Sequence, residues 1–397
     1  MAEAMRRLEV LVLNPISPSG LGRLPPERYA VVRDSPAPDV ILVRSANMHG
    51  MRFPPNLVAV GRAGVGVDNI PVAELSRRGV PVFNAPGANA NAVKELVVAG
   101  MLLAARRLVP ALDFVRALDP ADPELERRVE QGKKAFSGVE LKGRALGIVG
   151  LGRVGRLVAD AGGGLGMQVL GHDPEITVEA AWSLPAQVRR ATSVEEVLRS
   201  ADFVTLHVPL SERTRHLVNA GSLKHMREGA VLLNFAREGV VDDAAVAEAL
   251  RAGRLAAYVT DFPAGASLGA PRAIALPHLG ASTSEAEDNC AVMVVDQLRD
   301  YLEHGNVVNA VNFPDTVMGR ESPYRLAVAN ANVPDMLARI SHALGGRGLN
   351  IHNMLNKSRG ETAYTLVDVD SPVPEEVVEE LRAMSGVLAV RYLPLEA

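Results

Sequence analysis

The chain is almost without cysteine: Cys290 stands alone, which excludes an intramolecular disulfide and any cysteine-based metal cluster. No apolar run approaches the roughly eighteen residues of a membrane-spanning helix, and the start, Met1-Ala-Glu-Ala-Met-Arg-Arg7, lacks the long apolar core of a secretion signal. Positive charge is not in excess. A net charge of −4 and a pI near 6.2 leave no electrostatic footprint for nucleic acid or an anionic membrane. The expectation is therefore a cytoplasmic protein with no metal, no nucleic-acid partner and no membrane partner. What remains is 48% hydrophobic and 22% charged, the balance of a soluble globular protein, and 397 residues exceed one compact core. Two or three domains are expected.

The most informative stretch is Ala145-Leu-Gly-Ile-Val-Gly-Leu-Gly-Arg-Val-Gly155, an apolar run leading into Gly150, Gly152 and Gly155 at G-x-G-x-x-G spacing. The first glycine permits a tight turn, the second lets backbone N–H groups approach a pyrophosphate, and the third lets helix and strand pack closely. A second apolar run, Gln168 to His172, ends on Asp173, near the offset at which an acid grips ribose hydroxyls. Pro174 and Glu175 follow, with no adjacent arginine for a 2′-phosphate, so the pattern predicts NAD rather than NADP. An ordinary βαβ turn with a strand-end aspartate is the plainer alternative.

In chain order, short apolar runs at 8–13, 40–43, 57–60 and 80–83 alternate with polar or Pro-rich joints, the rhythm of an α/β layer. Arg44-Ser45 and Gly61-Arg-Ala-Gly-Val-Gly-Val-Asp-Asn69 follow two of these runs, where open α/β sheets bind ligands. Closely spaced glycines free N–H groups for an anion, and Arg44 and Arg62 add full charge, a combination suited to a doubly anionic small molecule. Surface arginines beside a turn would look the same. A helix is expected over 89–109 as a linking element, and the polar segment Leu118–Gly138 reads as a domain crossing.

Beyond Asp173, a helix capped by Thr192 or Ser193 and further strand–helix alternation predict a doubly wound parallel sheet. The run Gly162-Gly163-Gly164 is expected to end or fray its helix, or to form a long turn. Arg237, Asp261 and His278 sit at or just past strand ends: a histidine can take a hydroxyl proton, an arginine can hold a carboxylate by two parallel bonds, and an aspartate can receive a carboxamide. A long helix is expected over 282–304, a linker over 314–323, and then strand, helix, strand, strand, helix, strand, the order of a ferredoxin-like module.

With these residues in view, the chain resembles the D-2-hydroxyacid dehydrogenase family over nearly all of residues 1–313, through Val43-Arg-Ser45, Gly61–Asn69, Gly150–Gly155, Asn234-Phe-Ala-Arg-Glu-Gly-Val-Val-Asp242 and Pro277-His-Leu-Gly-Ala-Ser-Thr283. The tail resembles an ACT regulatory domain through Asn332-Val-Pro-Asp-Met-Leu337 and Gly348-Leu-Asn-Ile351. The resemblance implies an α/β fold of two doubly wound domains, a Rossmann NAD domain (93–279) inserted into a flavodoxin-like substrate domain (1–92 and 280–313), with a ferredoxin-like βαββαβ ACT domain at 324–397.

It further implies NAD-dependent oxidation of 3-phosphoglycerate, the combination with an ACT tail favouring this over other 2-hydroxy acids. Arg237 would bind the carboxylate and carbonyl oxygen, and His278 would take the C2 hydroxyl proton. Val65 and Gly66 would offer N–H groups to the carboxylate, Arg44 and Arg62 would meet the phosphate, and Ser45 would also bind the substrate. The cofactor would lie on Gly150, Gly152, Arg153, Val154, Gly155, Asp173, Val208, Pro209, Thr214, Ala236, Asp261 and Gly280, with Asp261 orienting the nicotinamide. Asn330, Asn332 and Asn350 would line a site for L-serine or another amino-acid effector, and a homo-oligomer, dimer or tetramer, is expected with a subunit contact around 89–118. A reductase of another 2-keto acid, or a sensor that keeps the fold without catalysis, are the competing readings.

Two departures stand out. The family pairs its histidine with a glutamate in a D-x-F-x-x-E-P segment, yet Asp261-Phe-Pro-Ala-Gly-Ala-Ser-Leu-Gly-Ala-Pro271 has no glutamate, and no carboxylate lies between Asp261 and His278. Either Glu285 or Glu287 substitutes, or the histidine works unpaired. Asp335 stands where the ACT motif has glycine, placing a side chain at the start of a helix.

Overall fold

The structure, a computed structural model, describes residues 6–395; the first five residues of the leader reading and the last two of the tail lie outside the described residues. The chain forms two compact units, Met1–Asn89 with Ser284–Ala397, and Ala90–Thr283. The chain therefore crosses between units at Asn89/Ala90 and Thr283/Ser284, not within Leu118–Gly138. That segment instead holds the helix Leu125–Gly132 and a 3-10 turn, Lys133–Phe136, and the helix read as a linker, Ala90–Ala105, belongs wholly to the second unit. The polar composition of 118–138 reflects exposure: neither the helix nor the turn buries a residue.

The first unit is built on a five-stranded parallel sheet, in spatial order Tyr29–Val32, Leu8–Val12, Val40–Val43, Ala59–Arg62, Val82–Phe83. This is the flavodoxin-like order. The central strand Val40–Val43 is buried at every position, which explains its uninterrupted apolar sequence. The helix Ser284–His304 packs Cys290, Ala291, Val294, Val295 and Leu298 into the core beneath it.

The same unit carries the βαββαβ tail: strands Tyr324–Ala331, Ile351–Arg359, Thr362–Val369 and Val387–Pro394, helices Met336–Gly345 and Glu375–Ala383. The strands pair antiparallel in the order second, third, first, fourth, as in a ferredoxin-like module. One face, with Leu326, Val328 and Val367, packs on the two helices. The other, with Ala327, Ala329, Tyr364 and Leu366, joins the core that contains Tyr301 and Phe313. Residues 314–323, expected to be a linker, are packed instead: Thr316 and Met318 are buried and Val307 bridges Thr316. The reason is polar satisfaction. Fully buried Arg325 spends its donors on Asp368 (2.6 and 2.8 Å) and on the carbonyls of His304, Met318 and Gly319, so the segment closes around the guanidinium.

The second unit has a seven-stranded parallel sheet, in spatial order Ala273–Ala275, Leu255–Thr260, Ala230–Asn234, Phe203–Leu206, Ala145–Val149, Gln168–His172, Arg189–Arg190. Numbered along the chain this is the Rossmann order with a seventh edge strand, and the strand order reverses beside Ala145–Val149. The glycine run is helical: Arg153–Gly164 includes all three and stops at Leu165. A Cβ on Gly162 would lie 2.5 Å from Leu146 Cδ2, so close packing on the first strand outweighs the helix cost at that position. Ser193 is the cap expected further on, its hydroxyl accepting from Glu196 N–H, while Thr192 donates twice to the Glu196 carboxylate (2.7 Å each).

Candidate active site

In the second unit Gly150, Asp173, Val208, Ala236, Arg237, Asp261 and His278 each lie just past the C-terminal end of a strand in one parallel sheet, so the chain direction alone places them on a common edge. Gly150 has φ +93°, a conformation that excludes other residues at low cost, and donates to His172 O. A Cβ on Gly155 would strike the Gly150 carbonyl, whereas one on Gly152 would meet nothing within 4 Å. The turn is thus tight at its first and third glycines and open at its second. That opening, beside the Arg153 and Val154 N–H groups in the first helical turn, where amides lack an intrahelical acceptor, fits a pyrophosphate.

Asp173 accepts from Leu151 N–H (2.9 Å) and Glu175 N–H (2.9 Å), which fixes its carboxylate beside the turn. Arg213, invisible to the local pattern, reaches Glu175 at 3.6 Å. Val208, Pro209 and Thr214 form a loop closed by the Thr214 hydroxyl, which donates to Pro209 O (2.6 Å) and accepts from Ser211 N–H (2.8 Å). Neighbouring His207 is held neutral: burial pushes its imidazole down to about 3.

A buried polar lock holds Arg237, Asp261 and His278. Asn234 donates from its side-chain amide to Arg237 O (3.0 Å) and accepts from Ala236 N–H (3.1 Å). Its own carbonyl takes the Thr260 hydroxyl (3.3 Å) and Asp261 N–H (3.2 Å). Asp261, 1% exposed, accepts from Leu279 N–H (2.6 Å) and Gly280 N–H (2.7 Å), and its backbone carbonyl takes His278 N–H (3.1 Å). Burial pushes the Asp261 carboxyl above the usual carboxylate range, against the pull of those amides and of His278 nearby. Asp261 therefore builds the turn that carries His278. That turn is tight: His278 has φ +54°, and its exposed imidazole lies on the Phe262 ring, centroids 4.7 Å apart. Arg237 is half-buried, with Nη1 on Ala236 O (2.7 Å). Asn234, Thr260 and Phe262 escaped the sequence reading, because two ends of separate strands must meet before their role appears.

In the first unit, Arg44 and Ser45 follow one strand, and Arg62 ends the next with Val65 and Gly66 just beyond it. Asn14 accepts from Arg44 N–H (2.9 Å) and donates to the Ser45 hydroxyl (3.1 Å); Arg62 Nε donates to Asn69 (3.2 Å), whose amide donates to Ala46 O (2.7 Å). Asn84 pins the Val65 carbonyl at 2.6 Å. Arg44 pairs with Glu287 at 2.6 Å, and Ser284 donates to Glu285. Of the two carboxylates weighed as histidine partners, Glu287 thus has an arginine.

In the module, Asn332 and Asn350 lie at opposite ends of the sheet. Asn332 binds Gly360 O and receives no partner from the far end, where Asn350 exchanges bonds with Asp370. Asn330 is buried and turned onto Ala331 O and the Thr365 hydroxyl. One copy of the module does not bring the three together. Asp335 has φ +69°, the left-handed conformation for which glycine is the unstrained choice.

Residues 100–280 match the model for the D-isomer specific 2-hydroxyacid dehydrogenase NAD-binding domain. A Haemophilus influenzae protein is 31% identical over 351 residues, covering 85% of this chain and 82% of the relative. The chain belongs to the D-2-hydroxyacid dehydrogenase family and, with the NAD-binding domain of that family, is an NAD-dependent oxidoreductase. That relative is a D-3-phosphoglycerate dehydrogenase, as is one from Methanocaldococcus jannaschii, 36% identical over 300 residues and 72% of this chain. The chain spans 55% of the length of the latter. Among solved structures, a protein from Thermus thermophilus superposes with a TM-score of 0.63 at 29% identity, covering 77% of this chain and all of its own.

Proposed function

We propose that the chain oxidises 3-phospho-D-glycerate to 3-phosphohydroxypyruvate with NAD, the first step of the phosphorylated route to L-serine, in the cytoplasm. The observation that carries this reading is the alignment of Gly150–Gly155, Asp173, Arg237, Asp261 and His278 past the ends of one parallel sheet. NAD supplies the hydride acceptor. Gly150, Gly152, Arg153, Val154 and Gly155 hold its pyrophosphate, Asp173 its ribose, and Val208, Pro209, Thr214, Ala236, Asp261 and Gly280 the remainder. Asp173 followed by Pro174 and Glu175, with no adjacent arginine for a 2′-phosphate, supports NAD over its 2′-phosphorylated form.

His278 accepts the C2 hydroxyl proton as hydride departs, and Arg237 holds the carboxylate and the oxygen that becomes a carbonyl. Val65 and Gly66 contribute N–H groups to the carboxylate, Arg44 and Arg62 take the phosphate, and Ser45 also contacts the substrate. The charge of Arg62, and of Arg44 once it leaves Glu287, favours a phosphorylated acid over a neutral-tailed one.

Residues 324–397 act as an ACT regulatory domain. Because Asn332 and Asn350 occupy opposite sheet ends, an amino-acid effector such as L-serine would sit where two copies meet. A homo-oligomer has further support in the second unit: the helix Leu108–Arg116 buries none of its residues, and Leu102, Leu108, Leu112 and Val115 are exposed. The test is NADH formation from 3-phosphoglycerate, followed by reoxidation with 3-phosphohydroxypyruvate. Turnover in both directions is expected; NADH binding without turnover of any 2-hydroxy acid would favour the sensor.

A further inference from the structure

We propose that Phe262 is the positioning residue for His278, its aromatic face taking the structural place of a carboxylate partner. The inference rests on His278 being the proton acceptor. The segment between Asp261 and His278 contains no carboxylate to orient the imidazole. Among the described residues of the second unit, the ring makes no hydrogen bond or ion pair; its contact is the Phe262 ring, 4.7 Å away and inclined by 52°. This lies within the range at which aromatic rings attract one another and at which a π face attracts a cation.

Phe262 is itself well fixed. Its N–H donates to the Thr260 hydroxyl at 3.0 Å, and Pro263 follows, which keeps the preceding backbone extended. Thr260 is buried in the lock formed with Asn234 and Asp261. The backbone of His278 is held by the same aspartate. Ring and support thus hang from one set of hydrogen bonds, and the imidazole can rotate away only by losing the Phe262 contact. An aromatic face sets orientation without selecting a tautomer, and it favours the imidazolium that forms when the hydroxyl proton arrives.

The test compares Phe262→Leu, Phe262→Met and Phe262→Tyr in the full chain. The Leu and Met variants should lose about tenfold in kcat, with KM for acid and for NAD within about twofold, and Tyr should restore kcat. Independently of turnover, the His278 ring proton resonances, assigned through His278→Asn, should lose a ring-current shift in the Leu variant and keep it in the Tyr variant. Unchanged kcat in both Leu and Met overturns the proposal, as does loss of kcat that Tyr fails to restore. Should Leu fail to fold, Met and Tyr decide. Full turnover in His278→Asn would instead refute the role of His278, and the resonance shifts would then show whether the ring contact exists without that role.

Discussion

Asn234 donates its side-chain amide to the carbonyl of Arg237, three residues on, and so shapes the bend that turns the arginine out of a buried strand end. The same residue's backbone carbonyl ties down Thr260 and Asp261. Replacing Asn234 with Ala should leave Ala236 N–H and Arg237 O without partners, at a cost of about 1–3 kcal/mol in stability. Turnover should fall by a further order of magnitude or more while NAD affinity holds, because the Gly150 turn is built without Asn234. Denaturant titration beside steady-state kinetics separates the two effects.

The glycines of the turn make a second, paired prediction. Gly152 has open space where a Cβ would go and an ordinary φ of −67°, so Gly152→Ala should keep its melting temperature and lose NAD affinity. Gly155→Ala would drive a methyl group into the Gly150 carbonyl and should destabilise the unit outright. Fluorescence titration with NADH and a thermal melt on each variant check both halves.

His207 makes stability depend on pH. Its folded-state pKa of about 3 lies below that of an unfolded histidine, about 6.5, so below the latter the unfolded chain binds a proton that the folded chain refuses. Its contribution is complete above about pH 6.5 and is lost as pH falls towards 3. Between pH 7 and pH 5 the loss should be up to about 2 kcal/mol, and a His207→Gln variant should show a correspondingly flatter profile. Urea titrations at the two pH values give the difference.

The pair Arg325 and Asp368, both fully buried, should behave asymmetrically. Arg325→Met alone strands a buried carboxylate and should cost about 3–5 kcal/mol, whereas Arg325→Met with Asp368→Leu should recover much of it. A double-mutant cycle by denaturant unfolding measures the coupling.

Much of this was legible in the sequence, for reasons that particular residues make plain. The Ala145–Val149 strand, its glycines and Asp173 announce themselves because backbone approach to a phosphate restricts residue type locally. The tail's six elements appear in the expected order because each alternates apolar positions with one period. The strand Tyr29–Val32 did not appear: it is a sheet edge after Pro25-Pro26, with little apolar demand. Residues 314–323 looked like a linker because their polar and Pro positions carry no period, although what orders them is Arg325, which donates three of its five bonds to carbonyls outside its own strand, two of them in this segment. The link from Asn234 to Thr260 and that from Phe262 to His278 were missed because each joins the ends of different strands, and neither shows as a local pattern.

The most direct test of the account is the ratio of kcat/KM for 3-phosphoglycerate to that for D-glycerate, measured as NADH formation in the unaltered chain and in Arg62→Ala. The account predicts a strong preference for the phosphorylated acid, and a fall of at least about tenfold in that preference when the guanidinium is removed, since charge-assisted bonds to phosphate are each worth about 1.5–3 kcal/mol. Equal use of the two acids, or a preference unchanged in Arg62→Ala, would contradict it.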